Sequence, residues 1–211
     1  MDKTREIHVS NDEKTTAAAL KLADDFIEQL GLDGKPAIRF RLIAEETLGM
    51  VRAMTGDFDA LFWLENEDDK YRVKLIATTK MDMDKKESLI AASTSGKNAA
   101  VKGVMGKIGE IIENGLLNYE DVAKLQQEYG TGYLDYAAMG FNVSAEYMTA
   151  GAPLVWSLNN YREQLENAVE TDDPAKAAWD ELEESIVASI AEDITVGVKK
   201  DRVDMTITAK F

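Results

Sequence analysis

Apolar residues recur with helical spacing in two stretches near the start of the chain. The first stretch follows Ser10-Asn11-Asp12-Glu13, residue types that favour a helix start, and Gly31 with Gly34 favours its end. The second stretch begins at Pro36 and continues to Met54. The positions that carry the period are Ala19, Leu22, Ala23, Phe26, Ile27 and Leu30, then Phe40, Ile43, Thr47, Met50 and Met54. We therefore predict two helices whose apolar sides can lie on a sheet.

Strands are marked by alternating apolar and polar residues, the period-2 pattern of a sheet that is covered on one face. A short strand is predicted over residues 4–10, which include His8. Strands over 58–64 and 71–79 are predicted to form a hairpin, with the polar residues between them as its turn. A second hairpin is predicted over residues 194–209.

The rest of the chain is predicted to be helical. Asp173-Pro174 favours the start of a helix over residues 174–192. Its apolar stripe consists of Trp179, Leu182, Ile186, Val187 and Ile190. The glycine-interrupted block 83–172 is also predicted to be almost wholly helical. The order of elements predicts an α+β fold, a two-layer α/β sandwich with a helical insertion. We expect a single domain, 1–211, in which residues 1–82 and 173–211 form the sandwich and 83–172 the insertion.

Composition narrows the classes of function. There are 39 acidic and 24 basic residues, and the net charge of −15 disfavours binding to nucleic acid or to an anionic membrane surface. The chain has no cysteine and one histidine, so a zinc-thiolate site, a histidine metal cluster and a catalytic triad are not expected. No run of about 18 apolar residues occurs and residues 1–7 are charged, so we expect neither a membrane span nor a signal peptide, and a cytoplasmic protein.

Residues 4–82 and 174–211 resemble the Bergerat-type, or histidine kinase-like, ATP-binding fold in the order and pattern of their elements. The anti-sigma-factor serine kinases are the most similar branch. Their first strand and helix resemble Arg5 to Gly31, their second helix resembles Arg41 to Met50, and their final hairpin resembles Ile194 to Phe211. The resemblance implies ATP and magnesium as cofactors, and it puts residues 83–172 in the place of the ATP lid.

In that family a glutamate on the second helix positions the attacking group or water, and an asparagine four residues later binds magnesium from the same helix face. The resemblance gives the role of the glutamate to Glu46, which puts Met50 in the place of asparagine, whereas a register shifted by one pairs Glu45 with Gly49. Neither a thioether nor a hydrogen replaces an amide oxygen as a ligand of a hard cation. Magnesium binding is therefore expected to be impaired. Glu45 and Glu46 also fit ordinary exposed positions of an acidic helix.

The family's remaining motifs read the adenine and hold the phosphates. Asp82 or Asp84 is the candidate for the adenine-reading carboxylate, although the glycines that follow it in the family are missing, and both also fit an exposed acidic turn. The candidate phosphate-binding residues are Lys97, Lys102, Gly103, Gly106 and Gly109. Their spacing is not that of a P-loop, and the glycines also fit a helix side that packs closely on a neighbour. A placement before the helix at 174 offers acids and no glycine to a phosphate.

The sequence leaves three functions open. A fold that retains the family's order of elements but has altered nucleotide-binding motifs predicts a pseudo-enzyme. Such a protein would be regulatory, would bind another protein and could also form a homodimer. An active ATP-dependent serine kinase would use Glu46 instead. The aromatic residues of the helical block predict, as a third function, a small-molecule sensor with its ligand near Tyr136 and Trp156.

Overall fold

The computed structural model describes residues 1–54, 58–79, 154–169, 173–199 and 201–211. Within these ranges helices lie against one antiparallel sheet of seven strands, so the fold is α+β as expected. In chain order the elements are β1 (Asp2–Lys3), β2 (Ile7–Ser10), α1 (Glu13–Gln29), α2 (Gly34–Met54), β3 (Phe58–Glu67), β4 (Lys70–Thr79), β5 (Leu154–Ser157), α3 (Leu158–Ala168), α4 (Asp173–Glu184), α5 (Ile186–Ile190), β6 (Ala191–Lys199) and β7 (Arg202–Lys210). Among the described helices, none is long and apolar enough to cross a membrane.

The sheet has the strand order β1-β3-β4-β7-β6-β5, and β2 pairs with the same strand as β1. Both short strands lie along one edge of β3, because β1 pairs with residues 65–66 and β2 with residues 59–62. The two predicted hairpins are confirmed as β3–β4 and β6–β7. Pairing of β4 with β7 joins the hairpins, so strands from both ends of the chain share one sheet.

The first helix begins and ends where its sequence signals predict. The Asp12 side chain accepts a hydrogen bond from the backbone N–H of Lys14 at the start of α1. At its end Gly31 has φ 66°, a conformation that glycine adopts without strain. The Gly31 N–H donates to the Glu28 carbonyl at 3.0 Å and the Leu32 N–H to the Ile27 carbonyl at 3.1 Å. These paired bonds are the Schellman arrangement, which satisfies carbonyls that the helix leaves without partners.

The core lies between one face of the sheet and the helices. Side chains at paired positions form a buried row across five strands: Phe62, Leu75, Met205, Val196 and Trp156. The buried residues of α1 and α2 are Ala19, Ala23, Phe26, Phe40, Ile43, Ala44, Thr47 and Leu48. The Thr47 hydroxyl donates to the Ile43 carbonyl at 2.7 Å, which satisfies the polar member of this set. The predicted stripes are thus confirmed as far as Leu48; the side chains of Met50 and Met54 lie outside the described part.

The turn of the first hairpin is shorter than the sequence predicts. Residues 65–67 belong to β3 and Lys70 to β4, so the turn is Asp68-Asp69. Asp68 has φ 56°, a left-handed conformation that aspartate tolerates better than most residues. Polar composition was a poor guide here because Glu65 has basic cross-strand neighbours, Lys3 and Arg72, which keep it in the ladder.

The helix predicted over 174–192 is interrupted. Ser185 begins a new helix, α5, with its hydroxyl accepting from the Ala188 N–H at 3.3 Å, and β6 starts at Ala191. The interruption breaks the helical period, so Ile186, expected on the buried stripe, is 63% exposed while Val187 is 3% exposed.

A strand lies within the block 83–172 that the sequence predicts to be helical. Residues 154–157 form β5, which pairs with β6, and α3 follows directly. This apolar run is too short to be told from a helix by its period. Residues 154–157 therefore belong to the sheet and α3 is helical as predicted, while residues 83–153 and 170–172 of the block lie outside the described residues.

Candidate functional site

Glu45 and Glu46, the candidates for the catalytic glutamate, are exposed on α2. The Arg41 Nη1 donates to the Glu45 carboxylate at 3.4 Å. The Nε of the same guanidinium donates to Asp24 Oδ1 on α1 at 2.6 Å. Arg41 therefore ties α2 to α1 and partly neutralises Glu45.

The positions one turn beyond these glutamates offer no oxygen ligand from a side chain, since they are Gly49 and Met50. Gly49 is exposed, and a Cβ added to it would meet no described atom within 4 Å. Within the described residues, no side chain therefore takes the place of a second oxygen ligand one turn after Glu45. A carboxylate without this second ligand is a weak partner for magnesium, which requires near-octahedral oxygen coordination.

The remaining nucleotide-binding candidates lie outside the described residues and stay predictions. They are Asp82, Asp84, Lys97, Lys102, Gly103, Gly106 and Gly109. The alternative phosphate position, the start of α4, has Asp173 in the first turn of the helix. Its carboxylate occupies the end of the helix that would otherwise attract an anion. Within the described ranges, no group of three or more histidine, aspartate or glutamate side chains could hold a metal ion.

His8 is a strand residue, as predicted. It lies on β2, and its Nδ1 is 3.0 Å from Asp59 Oδ1 on the neighbouring strand β3. Both side chains are more than 70% exposed, at 73% and 72%. Water screens such an exposed pair, and the pair is typical of surface contacts between strands rather than of a catalytic centre.

The structure reveals one polar cluster that the sequence reading missed, around Glu65 on the sheet face opposite α1 and α2. Glu65 is 4% exposed and Trp63 is 8% exposed. The Trp63 indole Nε1 donates to Glu65 Oε1 at 2.8 Å. The Lys74 Nζ lies 3.1 Å from Glu65 Oε2, and the Lys3 Nζ lies 3.9 Å from Oε1 and 4.9 Å from the centre of the indole ring.

These contacts determine the charge state of Glu65. Burial raises the pKa of its carboxyl, but the hydrogen bonds from Trp63 and Lys74 and the positive charges of Lys74 and Lys3 outweigh burial, so the pKa lies below the ordinary 4.5. The carboxylate, the ammonium groups and the indole satisfy one another. We therefore interpret the cluster as a structural contact between β3 and β4, rather than as a ligand site. Its only sequence signal was an acid two residues after a tryptophan, in a segment too polar to be recognised as a strand.

Trp156, a residue of the predicted sensor pocket, is a core residue of β5. It is 0% exposed and its ring centre lies 5.8 Å from that of Tyr161 on α3. Its indole Nε1 has no hydrogen-bond partner within the described structure. Tyr136, the other residue named for the sensor, lies outside the described residues. Full burial against Tyr161 favours a packing role for Trp156.

Comparison with known proteins gives no matching protein-family model, no similar curated protein and no similar solved structure. A proposal of function must therefore be drawn from the residues of this chain alone.

Proposed function

We propose that this protein is a regulatory, protein-binding member of the histidine kinase-like ATPase fold, impaired in ATP and magnesium binding. The arrangement of elements supports the proposal: a strand, two helices and a hairpin are followed, at the far end of the chain, by helices and a second hairpin of the same sheet. This is the order that carries the resemblance to anti-sigma-factor serine kinases. A cytoplasmic location belongs to the same proposal. A shared fold does not by itself establish a function. The proposal therefore depends on the residues at the expected nucleotide site.

The observation that carries the proposal is the outer side of α2. It presents the carboxylates of Glu45 and Glu46 to solvent, but the next turn has a glycine and a methionine instead of an amide. Magnesium neutralises the phosphates of ATP where it binds. Without a complete magnesium site, the carboxylates of α2 repel those phosphates, and the net charge of −15 adds to the repulsion.

A thermal-shift titration of the full chain with ATP and with ADP, each with and without magnesium, tests this proposal. A ligand that binds the native state at about 100 times its Kd stabilises it by about 2.7 kcal/mol, which is a shift of several degrees in Tm. We expect no shift up to millimolar nucleotide.

The Glu46→Gln variant is the control for the competing function. A magnesium-dependent rise in Tm of the native chain would contradict the proposal. Phosphate transfer that stops in Glu46→Gln would support the active serine kinase, because the resemblance gives Glu46 the positioning of the attacking group. Phosphate transfer to a serine substrate, measured for both forms, would then be the next assay.

A further inference from the structure

The turn that connects α1 to α2 contains an aspartate followed directly by a glycine, Asp33-Gly34. Both residues are exposed to solvent. This is the one aspartyl-glycine pair of the sequence, since every other aspartate precedes a residue with a side chain. Glycine leaves its own backbone nitrogen unshielded, because it has no Cβ. The Asp33 carboxyl group therefore has unhindered access to the nitrogen of Gly34.

Neither of these two groups is held by a partner among the described residues. The N–H groups in the first turn of a helix have no acceptor inside that helix, and Gly34 is the first residue of α2. Within the described ranges, no other acceptor binds its N–H, and no donor or cation binds the Asp33 carboxylate. Asp24 on α1 differs, since its carboxylate pairs with Arg41. Both groups of the turn are therefore free to react with each other.

The backbone at Gly34 permits the geometry of that reaction. Gly34 has φ 57°, and a Cβ placed on it would meet no described atom within 4 Å. For the Gly34 nitrogen to approach Asp33 Cγ, the peptide plane between the two residues must rotate, which changes ψ of Asp33 and φ of Gly34. Glycine adopts positive and negative φ about equally well, so this rotation causes little strain. The turn therefore allows the approach without unfolding of either helix.

We propose that Asp33 is a site of spontaneous isomerisation to isoaspartate in the folded protein. The Gly34 nitrogen attacks Cγ of the protonated Asp33 carboxyl group and forms a succinimide ring, while the amide proton and the carboxyl hydroxyl group leave as water. Water then opens the ring. Opening at the backbone carbonyl gives isoaspartate, in which the main chain runs through Cγ, and opening at Cγ restores aspartate. The reaction needs no oxidant, nucleotide or partner protein, so it is independent of the proposed function.

The product differs from the native chain at the junction of the first two helices. One methylene group is added to the main chain, and the free carboxylate of residue 33 is now its α-carboxylate. Because Arg41 on α2 donates to Asp24 on α1 across this junction, we expect the longer link to lower the Tm of the isomer. The α-carboxylate is a substrate for a carboxyl methyltransferase of the class that recognises isoaspartate. Its oxygen takes the methyl group of S-adenosylmethionine, and S-adenosylhomocysteine leaves.

The test incubates the full chain under native conditions and maps its tryptic peptides by electron-transfer mass spectrometry, which locates isoaspartate residue by residue. A synthetic peptide of residues 29–39 is incubated in parallel. We expect isoaspartate to accumulate at Asp33 in both samples and to be absent at Asp68 and Asp201, which lie in exposed turns before residues with side chains. Absence of isoaspartate at Asp33 of the folded chain, after the peptide has converted, would overturn the proposal. Equal conversion at Asp68 or Asp201 would also overturn it.

Two variants connect the product to this pair of residues. Asp33→Glu keeps the charge, but its carboxyl group would have to close a larger ring, so we expect the signal at position 33 to be lost. Gly34→Ala keeps the carboxyl group and adds a Cβ beside the nitrogen, so we expect conversion to slow several-fold. Unchanged conversion in Gly34→Ala would contradict the proposal. The pair Asn114-Gly115 also favours isoaspartate but lies outside the described residues, and peptide mapping keeps its product separate.

Methylation gives a second readout on the same samples. An isoaspartyl methyltransferase supplied with labelled S-adenosylmethionine should label the tryptic peptide that contains residue 33 in the incubated native chain, and should leave that peptide of Asp33→Glu unlabelled. Equal labelling of the two would show that the methyl acceptor is not residue 33 and would overturn the assignment.

Discussion

The indole Nε1 of Trp63 donates a hydrogen bond of 2.8 Å to the carboxylate of Glu65, two residues further along β3. Side chains two residues apart on a strand share a face, and this pair lies on the face opposite the helices, since Phe62 and Leu64, which alternate with them along β3, face the core. Lys74 and Lys3 supply the positive charges that a buried carboxylate needs. The contacts of Glu65 with Trp63 and Lys74 therefore form a polar network that joins β3 and β4.

Replacing the indole should show how much this network stabilises the fold. Trp63→Phe keeps the aromatic ring but removes the donor, and we expect a loss of about 1–3 kcal/mol in the free energy of unfolding, because a hydrogen bond to a buried charge is lost. Urea denaturation measures it.

Trp179→Phe is the control, since the Trp179 indole donates at 3.0 Å to Glu183, which is exposed. We expect that variant to lose less than about 1 kcal/mol. Equal losses in the two variants would show that Glu65 gains nothing from the indole.

Stability should depend on pH through Glu65. Its folded pKa lies below the ordinary 4.5, so the carboxylate stabilises the fold above pH 4.5, and this contribution disappears as the pH falls through the folded pKa. We expect the free energy of unfolding of the native chain to fall below pH 4.5 more steeply than that of Glu65→Gln, which has no proton to bind there. Denaturation curves over a pH series give both slopes. Parallel slopes would contradict a lowered pKa.

Gly49, in the interior of α2, should be replaceable with a gain in stability. Gly49 lies inside the helix, and a Cβ added there would meet no atom of the described residues within 4 Å, so Gly49→Ala is expected to raise the free energy of unfolding by about 0.5–1 kcal/mol, through lower backbone entropy of the unfolded chain. Thermal unfolding measures the effect. The opposite result is expected for Gly31→Ala, which must adopt φ 66° and should cost about 1 kcal/mol. A loss of stability in Gly49→Ala would mean that position 49 is not a regular, open helical site.

Arg162 should be important for the attachment of α3. Its Nη2 donates to the Ala188 carbonyl at 2.6 Å and its Nη1 to the Glu192 carbonyl at 3.3 Å, which joins α3 to the end of α5 and the start of β6. We expect Arg162→Ala to cost about 2 kcal/mol, because partly buried carbonyls lose a charged donor. Arg202→Ala, which removes an exposed pair with Asp204, should cost less than about 0.5 kcal/mol. A similar cost for both in chemical denaturation would rule out a special role for Arg162.

The sequence was least informative where side chains meet partners from distant segments. The segment 65–67 looks like a turn because its residues are polar, and only its pairing with Lys3 and Arg72 makes it a strand. Residues 154–157 look like part of a helical block, and only β6 makes them a strand. For the candidate site, the sequence alone placed Glu45 and Glu46 on a helix with Gly49 and Met50 one turn later, whereas the burial of Glu65 beside Trp63 required the pairing of β3 with its neighbours.

The sequence by itself determined α1, α2, both hairpins and the end of α1 at Gly31, because helical and strand periods and a glycine stop act over a few neighbouring residues. It also determined that the positions four residues after Glu45 and Glu46 are Gly49 and Met50. Only the tertiary structure decided that β4 pairs with β7 and that Glu65 is buried on the face of the sheet opposite α1 and α2. The physical reason is that strand pairing and burial depend on residues far apart in the chain, whose approach a local pattern does not specify.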